Sequence, residues 1–121
     1  MRQVMIDTDI LIDVEKGKRD LPRAHIFISW ISLYEFLRGR EDYEEAKEIV
    51  ERVFKVVYPS NEVLRIAAEI YRDLRRRGEP LEERDIIVAA SAIAHDLPLM
   101  TRNRGHYERL VRYGLRLTPT D

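Results

Sequence analysis

Three acidic residues interrupt the most apolar part of the N-terminus, in the segment RQVMIDTDILID over residues 2–13. Residues 4–6 (VMI) are continuously apolar, which is the pattern of a strand buried on both faces of a parallel sheet. Asp7 follows directly, and the next residues change to helical spacing that stops at Gly17. The segment therefore predicts a βα unit with Asp7 at the carboxyl end of its strand.

The same alternation continues along the chain. Apolar or β-branched runs predict further strands at residues 24–29, 97–101 and 115–118, and a short strand or connector at 55–59. Apolar spacing and capping residues predict helices at residues 32–39, 41–54, 60–78, 83–96 and 103–114. The first of these has Ser32 as a possible N-cap, and residues 83–96 are apolar nearly all round, as in a helix buried between two layers.

Alternating strands and helices with short connections predict an α/β fold, with a parallel sheet covered by helices. A chain of 121 residues with 45% hydrophobic content fits one compact domain over residues 1–121. We expect no second domain, repeat or linker.

Composition excludes several classes of site. The formal charge of -1 comes from 21 basic and 22 acidic residues, so any nucleic-acid site must be a local basic patch. The absence of cysteine excludes disulfides, iron–sulfur clusters and thiolate zinc sites, and it agrees with a reducing cytosol. No leader peptide or run of 18 apolar residues is recognisable, so we expect a cytoplasmic protein without a membrane span.

Four polar residues fall at element boundaries that parallel strands would bring to one edge of the sheet. Asp7 follows the first strand, and Glu35 is expected in the first turn of the helix after the second. Asp85 opens the most apolar helix, and Asn103 follows the strand at 97–101. Each residue taken alone is explained as a helix cap or a dipole-favoured acid. Their shared location predicts a common crevice.

Carboxylates that converge in one crevice repel each other, so protons or a cation must neutralise them. Oxygen ligands, no cysteine and only three scattered histidines, at positions 25, 95 and 106, favour Mg²⁺ or Mn²⁺ over Zn²⁺. Such a site is typical of phosphoryl-transfer chemistry, in which the cation polarises a phosphate oxygen and activates a bound water. The sequence thus predicts hydrolysis of a phosphodiester or phosphomonoester.

The segments MIDTDILID, ISLYEFLRG, RDIIVAASAIAHDLPLMTRN and HYERL resemble the four signature segments of PIN-domain ribonucleases. Among these, the chain most resembles the short VapC-type toxins of prokaryotic toxin–antitoxin pairs. The resemblance implies that Asp7, Glu35 and Asp85 are the family's catalytic acids and metal ligands. It places the fourth catalytic position on Asn103, where many members have Asp, which favours one metal or a weaker second site.

The resemblance also implies a parallel sheet of about five strands between helices, a homodimer, and Mg²⁺- or Mn²⁺-dependent endonuclease activity on RNA. In the toxin branch, a cognate antitoxin lays a segment into the active-site groove. Arg102, Arg104 and Arg84 at the rim of the crevice could supply local contacts to an RNA phosphate.

Other nearby residues have two interpretations each. Asp9 could be an outer metal ligand or the cap of the first helix, and Thr101 could donate to a ligand carboxylate or simply end a strand. His106 could contact RNA or lie on the surface. Asp13 is expected to face solvent or to pair with a basic residue.

Two other functions remain open at this stage. The DTD segment imitates the nucleophile of haloacid-dehalogenase phosphatases, but Leu11 stands where that chemistry wants Thr, and no partner lysine is obvious. A degenerate PIN domain, kept for RNA binding or protein interaction, would fit the departure at Asn103, although three acids are intact.

Overall fold

A computed structural model of the chain describes residues 1–119, so the last two residues of the predicted domain lie outside the described part. Four parallel strands form one sheet: β1 (Gln3–Ile6), β2 (His25–Ser29), β3 (Lys55–Val57) and β4 (Leu99–Met100). The helices are α1 (Thr8–Glu15), α2 (Trp30–Leu37), α3 (Tyr43–Val53), α4 (Asn61–Arg76), α5 (Glu83–Ala94) and α6 (Arg104–Tyr107), followed by a 3-10 helix over Glu108–Tyr113. The predicted α/β class is confirmed.

Strand order is β3-β2-β1-β4, so β1 lies inside the sheet with a parallel neighbour on each side. Ile6 at the end of β1 is in register with Ile28 of β2 and Met100 of β4. The backbone N–H of Asp7 donates to the Met100 carbonyl at 2.9 Å. The carboxyl ends of these strands therefore meet at one edge, where β1 leads directly into α1.

The strand predicted at residues 115–118 forms only one parallel bridge, between Leu117 and Leu99. Two backbone hydrogen bonds flank it, from Leu99 N–H to the Arg116 carbonyl and from Thr118 N–H to the Leu99 carbonyl. Within residues 1–119 the sheet has four strands rather than about five, with this bridge beside β4 where a further strand would lie.

Alternating side chains of β1 enter two separate cores, because successive residues of a strand point to opposite faces. Met5 packs in a cluster with residues of α4 and α5, such as Leu74 and Val88. Val4 and Ile6 pack in the other cluster, with residues of α1, α2 and α3. The strand is thus buried on both faces, as its apolar run predicts.

Helix α2 begins earlier than the sequence suggested. Its N-cap is Ser29, whose Oγ accepts a hydrogen bond from the Ile31 N–H at 3.4 Å. Ser32, the predicted cap, lies inside the helix and is fully buried. That prediction was wrong because β2 enters α2 without an intervening loop, so the last strand residue serves as the cap.

The predicted helix at 103–114 divides into α6 and the 3-10 helix, and it ends at Gly114 with a positive φ of 106°. Helix α5 is buried along much of its length, as its apolar sequence predicts. Across residues 1–119, none of the helices combines the length and apolar character needed to cross a bilayer.

Candidate active site

Asp7 is fixed at the carboxyl end of β1 and is almost completely buried. Its Oδ1 accepts a hydrogen bond from the Thr8 N–H at 2.8 Å, so Asp7 is the N-cap of α1. Because Asp7 is the cap, the capping alternative proposed for Asp9 is not the one observed. Burial of a carboxylate here requires compensation by donors or a cation.

Glu35 and Asp85 reach the same crevice from two other elements. Glu35 projects from the second turn of α2 and not from the predicted first turn, because the helix already begins at Trp30. Its Oε1 accepts a hydrogen bond from the Thr8 hydroxyl at 2.9 Å. Asp85 lies in the first turn of α5 and is 4% exposed. The structure therefore brings together the three acids that the sequence singled out.

Arg84 lies between these three acids. Its Nε donates to Glu35 Oε1 and Oε2 at 2.9 and 3.0 Å, and its Nη1 donates to Asp85 Oδ1 at 3.1 Å. Its Nη2 donates to Asp7 Oδ1, and to the Thr8 hydroxyl at 3.0 Å. The expectation of Arg84 at the rim was wrong, because the neighbouring carboxylates hold its guanidinium inside the crevice.

The charge of Arg84 is strongly favoured despite its surroundings. Partial burial works against the charged form, but hydrogen bonds to Glu35 and Asp7 hold the pKa of the guanidinium above its ordinary value. The acids are thus neutralised in part by a cation from the same chain.

Tyr107 is a site residue that sequence reasoning missed. Its hydroxyl donates to Asp7 Oδ2 at 3.1 Å and lies 3.4 Å from Asp85 Oδ1. The Tyr107 hydroxyl oxygen in turn accepts a hydrogen bond from Arg84 Nη1 at 2.5 Å. Burial, and next the charge of Asp7, raise the pKa of this phenol well above its usual range. The sequence did carry one signal, because Tyr107 and Leu110 have the three-residue spacing of one face of a helix. Both are fully buried in the structure.

Thr101 makes the contact predicted for it. The Thr101 hydroxyl is fully buried, donates to Asp7 Oδ2 at 2.9 Å, and lies 3.4 Å from Asp9 Oδ2. It also accepts a hydrogen bond from the Asn103 N–H at 3.1 Å. Thr101 therefore connects the end of β4 to both acids of the DTD segment.

Asp9 lies beside Thr101, and its two carboxylate oxygens differ in their hydrogen-bond partners. Its Oδ2 accepts from the Arg102 N–H at 3.0 Å, whereas its Oδ1 is buried and finds no hydrogen-bond partner among residues 1–119. Burial, and next the charge of Asp7, raise the pKa of the Asp9 carboxyl. Asp13 is buried, and it pairs with Arg102 Nε at 3.2 Å, in agreement with the expected basic partner.

The remaining predicted residues, Asn103, Arg104 and His106, are exposed. Asn103 is exposed at the start of α6, and within residues 1–119 no hydrogen bond joins its side chain to the three acids. His106 is also exposed, with Nδ1 3.5 Å from Asp85 Oδ2. Arg104 Nη1 donates to the Thr118 carbonyl at 3.0 Å.

The donors fit Mg²⁺ or Mn²⁺ in kind, because Asp7, Glu35, Asp85 and the unpartnered oxygen of Asp9 are all hard carboxylate ligands. In the side-chain arrangement observed over residues 1–119, however, no three acidic or histidine side chains are spaced to hold one ion. The guanidinium of Arg84 lies between Asp7, Glu35 and Asp85.

Comparison with known proteins gives a consistent result. The model of the PIN domain family matches residues 4–111. Ribonuclease VapC1 of Methanocaldococcus jannaschii is 34% identical over 117 residues, which cover 95% of this chain and 86% of that protein.

Two solved structures have the same fold. VapBC-1 from nontypeable Haemophilus influenzae superposes with a TM-score of 0.78 at 22% identity, over 98% of each chain. A toxin–antitoxin complex from Klebsiella pneumoniae gives a TM-score of 0.67 at 24% identity, over 86% of this chain and 89% of that one. At such identities, the likeness concerns the fold.

Proposed function

The chain belongs to the PIN domain family, and from this premise we propose that it is a VapC-type ribonuclease that hydrolyses RNA phosphodiester bonds with Mg²⁺ or Mn²⁺. The similarity to Ribonuclease VapC1 of M. jannaschii, which extends over most of both chains, supports the ribonuclease assignment. The observation that carries the proposal is that Asp7, Glu35 and Asp85 converge in one crevice from three elements distant in sequence. All three pair with the guanidinium of Arg84.

This convergence is costly for stability alone, which favours a functional interpretation. Carboxylates removed from water lose hydration energy, and their mutual repulsion adds to that loss. A fold that only needed a stable core would gain more from apolar residues of similar volume at these positions. Buried acid clusters at the carboxyl edge of a parallel sheet are therefore candidates for binding and catalysis.

In this proposal, Asp7, Glu35 and Asp85 would hold the metal ion. When bound, Mg²⁺ or Mn²⁺ would polarise a phosphate oxygen and lower the pKa of a coordinated water. Thr101 and Tyr107 both donate to Asp7 Oδ2, so they fix the orientation of that carboxylate.

The residues at the open side of the crevice have roles toward the substrate. Asn103 and His106 are exposed beside the crevice, where RNA would approach, and Arg102 is 55% exposed on the same side. Contacts from these residues would position the RNA backbone without a basic surface over the whole protein.

A cytoplasmic location, a homodimer and a cognate antitoxin belong to the same proposal. The structural similarity to a toxin–antitoxin complex supports the expectation of a partner. Expression of the chain alone in a bacterial host should arrest growth, and co-expression of a small protein encoded beside it should restore growth. If the chain is harmless when it is expressed in soluble, RNA-cleaving form, the toxin role is wrong.

The central experiment incubates purified protein with labelled single-stranded RNA and Mn²⁺ or Mg²⁺. We expect cleavage that EDTA stops, and a loss of at least about 100-fold in Asp7→Asn, because removing a charged ligand weakens the metal site and its electrostatic stabilisation. Asp96→Asn is the matched control: its side chain is 96% exposed, and Asn tolerates its positive φ. Undiminished cleavage by folded Asp7→Asn would reject the assignment.

One observation favours a second candidate, a PIN domain that binds RNA without cleaving it. The Arg84 guanidinium offsets part of the charge of the acids, so the observed side-chain arrangement has a counter-charge without a metal. Retention of RNA on the protein, with no cleavage in Mn²⁺ or Mg²⁺, would support this candidate.

The phosphatase alternative has no support here, because Leu11 is buried in the core and the cation beside Asp7 is an arginine.

A further inference from the structure

Arg84 contacts every residue assigned as a metal ligand. Its guanidinium pairs with Asp7, Glu35 and Asp85, and it also reaches the hydroxyls of Thr8 and Tyr107. These partners come from the start of α1, from α2, from α5 and from α6. The side chain thus acts as the common cation of the crevice, and its removal would leave three acids facing one another.

A guanidinium and a divalent cation cannot share this space. Like charges a few ångströms apart repel strongly at the effective dielectric of a protein surface, and the double charge of the ion increases the repulsion. Both would also compete for the same carboxylates, since Asp7, Glu35 and Asp85 would hold the ion and accept hydrogen bonds from Arg84. Occupation by one therefore opposes occupation by the other.

The side chain has a route out of the crevice. Its exposed fraction is 23%, and its hydrogen bonds within residues 1–119 all go to side chains rather than to backbone carbonyls. It also begins at the first turn of α5, so rotation about its own torsions can move the guanidinium without unfolding the helix.

We propose that Arg84 is an exchangeable internal cation, which occupies the carboxylate crevice in the metal-free protein and must leave it when a divalent ion binds. This inference rests on the proposed metal-dependent function and extends it to how the metal is admitted. Arg84 stabilises the empty site and weakens its affinity for the ion. Removing the guanidinium should therefore destabilise the metal-free protein and strengthen its binding of the ion.

The test compares Arg84→Gln with wild-type protein. Calorimetric titration with Mn²⁺ should give a dissociation constant about tenfold lower in Arg84→Gln, since the ion no longer has to displace a charge. Without metal, the melting temperature of the variant should fall by several degrees, because its acids have lost their counter-charge. Saturating Mn²⁺ should then raise the melting temperature of the variant more than that of the wild type.

Arg116→Gln is the matched control. It removes the same charge from a side chain that pairs with Asp96 at the surface, so it reports how net charge alone affects cation binding. We expect its Mn²⁺ affinity to stay within about twofold of wild type, because exposed charges are screened by salt. An equal gain in both variants would overturn a specific role for Arg84.

A second measurement uses the wild-type chain and does not depend on the folding of a variant. The Nε–H of Arg84 donates to both oxygens of Glu35, so its exchange with solvent should be slow in metal-free protein. In an NMR titration, Mg²⁺ should accelerate this exchange, as the guanidinium moves to solvent. Protection that persists at saturating Mg²⁺ would overturn the proposal.

The outcomes separate this inference from the proposed function. If wild-type protein binds Mn²⁺ and cleaves RNA, but Arg84→Gln binds Mn²⁺ no more tightly, only the exchange is rejected. If neither protein binds Mn²⁺ or Mg²⁺ and neither cleaves RNA, both the exchange and the ribonuclease assignment are rejected.

Discussion

The hydroxyl of Tyr107 donates a hydrogen bond to Asp7 Oδ2 at 3.1 Å, although the two residues are 100 positions apart in sequence. Its oxygen also lies 3.4 Å from Asp85 and accepts a hydrogen bond from Arg84. The phenol is fully buried, so its polar atom depends on these partners. Tyr107 therefore links the packing of α6 to the orientation of two site acids.

Tyr107→Phe keeps the aromatic ring and removes the hydroxyl. Asp7 then loses a donor, so we expect unfolding free energy to fall by about 1–3 kcal/mol. The turnover number in RNA cleavage should fall by about tenfold with little change in KM, since the acid is misoriented rather than the substrate. Urea denaturation and steady-state kinetics measure both effects. Tyr43→Phe, at an exposed tyrosine, is the control, and equal behaviour of the two variants would contradict the positioning role.

Asn103→Asp tests how many metal ions the site holds. Asn103, which the family resemblance aligns with the fourth catalytic position, carries no charge, so we expect wild-type protein to bind one Mn²⁺ per chain in calorimetry. The added carboxylate should strengthen binding severalfold, or create a second measurable site, because it attracts cations at short range. Asn61→Asp adds the same charge at the start of α4 and should have little effect. Two tight sites in the wild type would contradict the prediction.

The Asp73 carboxylate should make a pH-dependent contribution to the free energy of unfolding. A hydrogen bond from Tyr113 at 2.6 Å, and next those from Arg77 and Arg76, hold the pKa of the Asp73 carboxyl well below its ordinary value of 3.8. A lowered folded-state pKa stabilises the protein above the unfolded-state value, and this stabilisation is lost as pH falls further.

Asp73→Asn should accordingly lower the melting temperature at neutral pH. The difference from wild type should stay constant down to about pH 5 and narrow below about pH 4, where the unfolded carboxyl becomes protonated. Thermal melts across this range measure the difference. A difference that is the same at pH 3 and pH 7 would rule out the ion-paired carboxylate as its cause.

Gly114 ends the 3-10 helix with φ of 106°, a conformation that L residues rarely adopt. Gly114→Ala should reduce the unfolding free energy by about 1–2 kcal/mol, because its Cβ strains the backbone. Gly39→Ala is the matched control, since Gly39 has no positive φ and an added Cβ there meets no atom within 4 Å. Denaturant melts should show Gly39→Ala unchanged or slightly more stable. A comparable loss in both variants would remove the conformational explanation.

Local patterns predicted much of this fold. The apolar run before Asp7 specified a strand buried on both faces, and the apolar sequence of residues 83–96 specified the buried helix α5. Such patterns succeed because the periodicity of burial is written in neighbouring residues. They were less reliable at boundaries, as the cap at Ser29 instead of Ser32 shows, since two serines three residues apart are equally suitable caps.

By itself, the sequence determined the α/β class and the meeting of Asp7, Glu35 and Asp85. Asp7 follows β1, Glu35 lies in the helix after β2, and Asp85 opens the helix that leads into β4, so all three lie toward the carboxyl edge of the parallel sheet. Only the tertiary structure decided that Arg84 lies inside this crevice and that Tyr107 bridges two of its acids. The physical reason is that a side chain's partners depend on rotamers and on charges brought together across many residues. The periodicity of the sequence gives no information about these rotamers and long-range contacts.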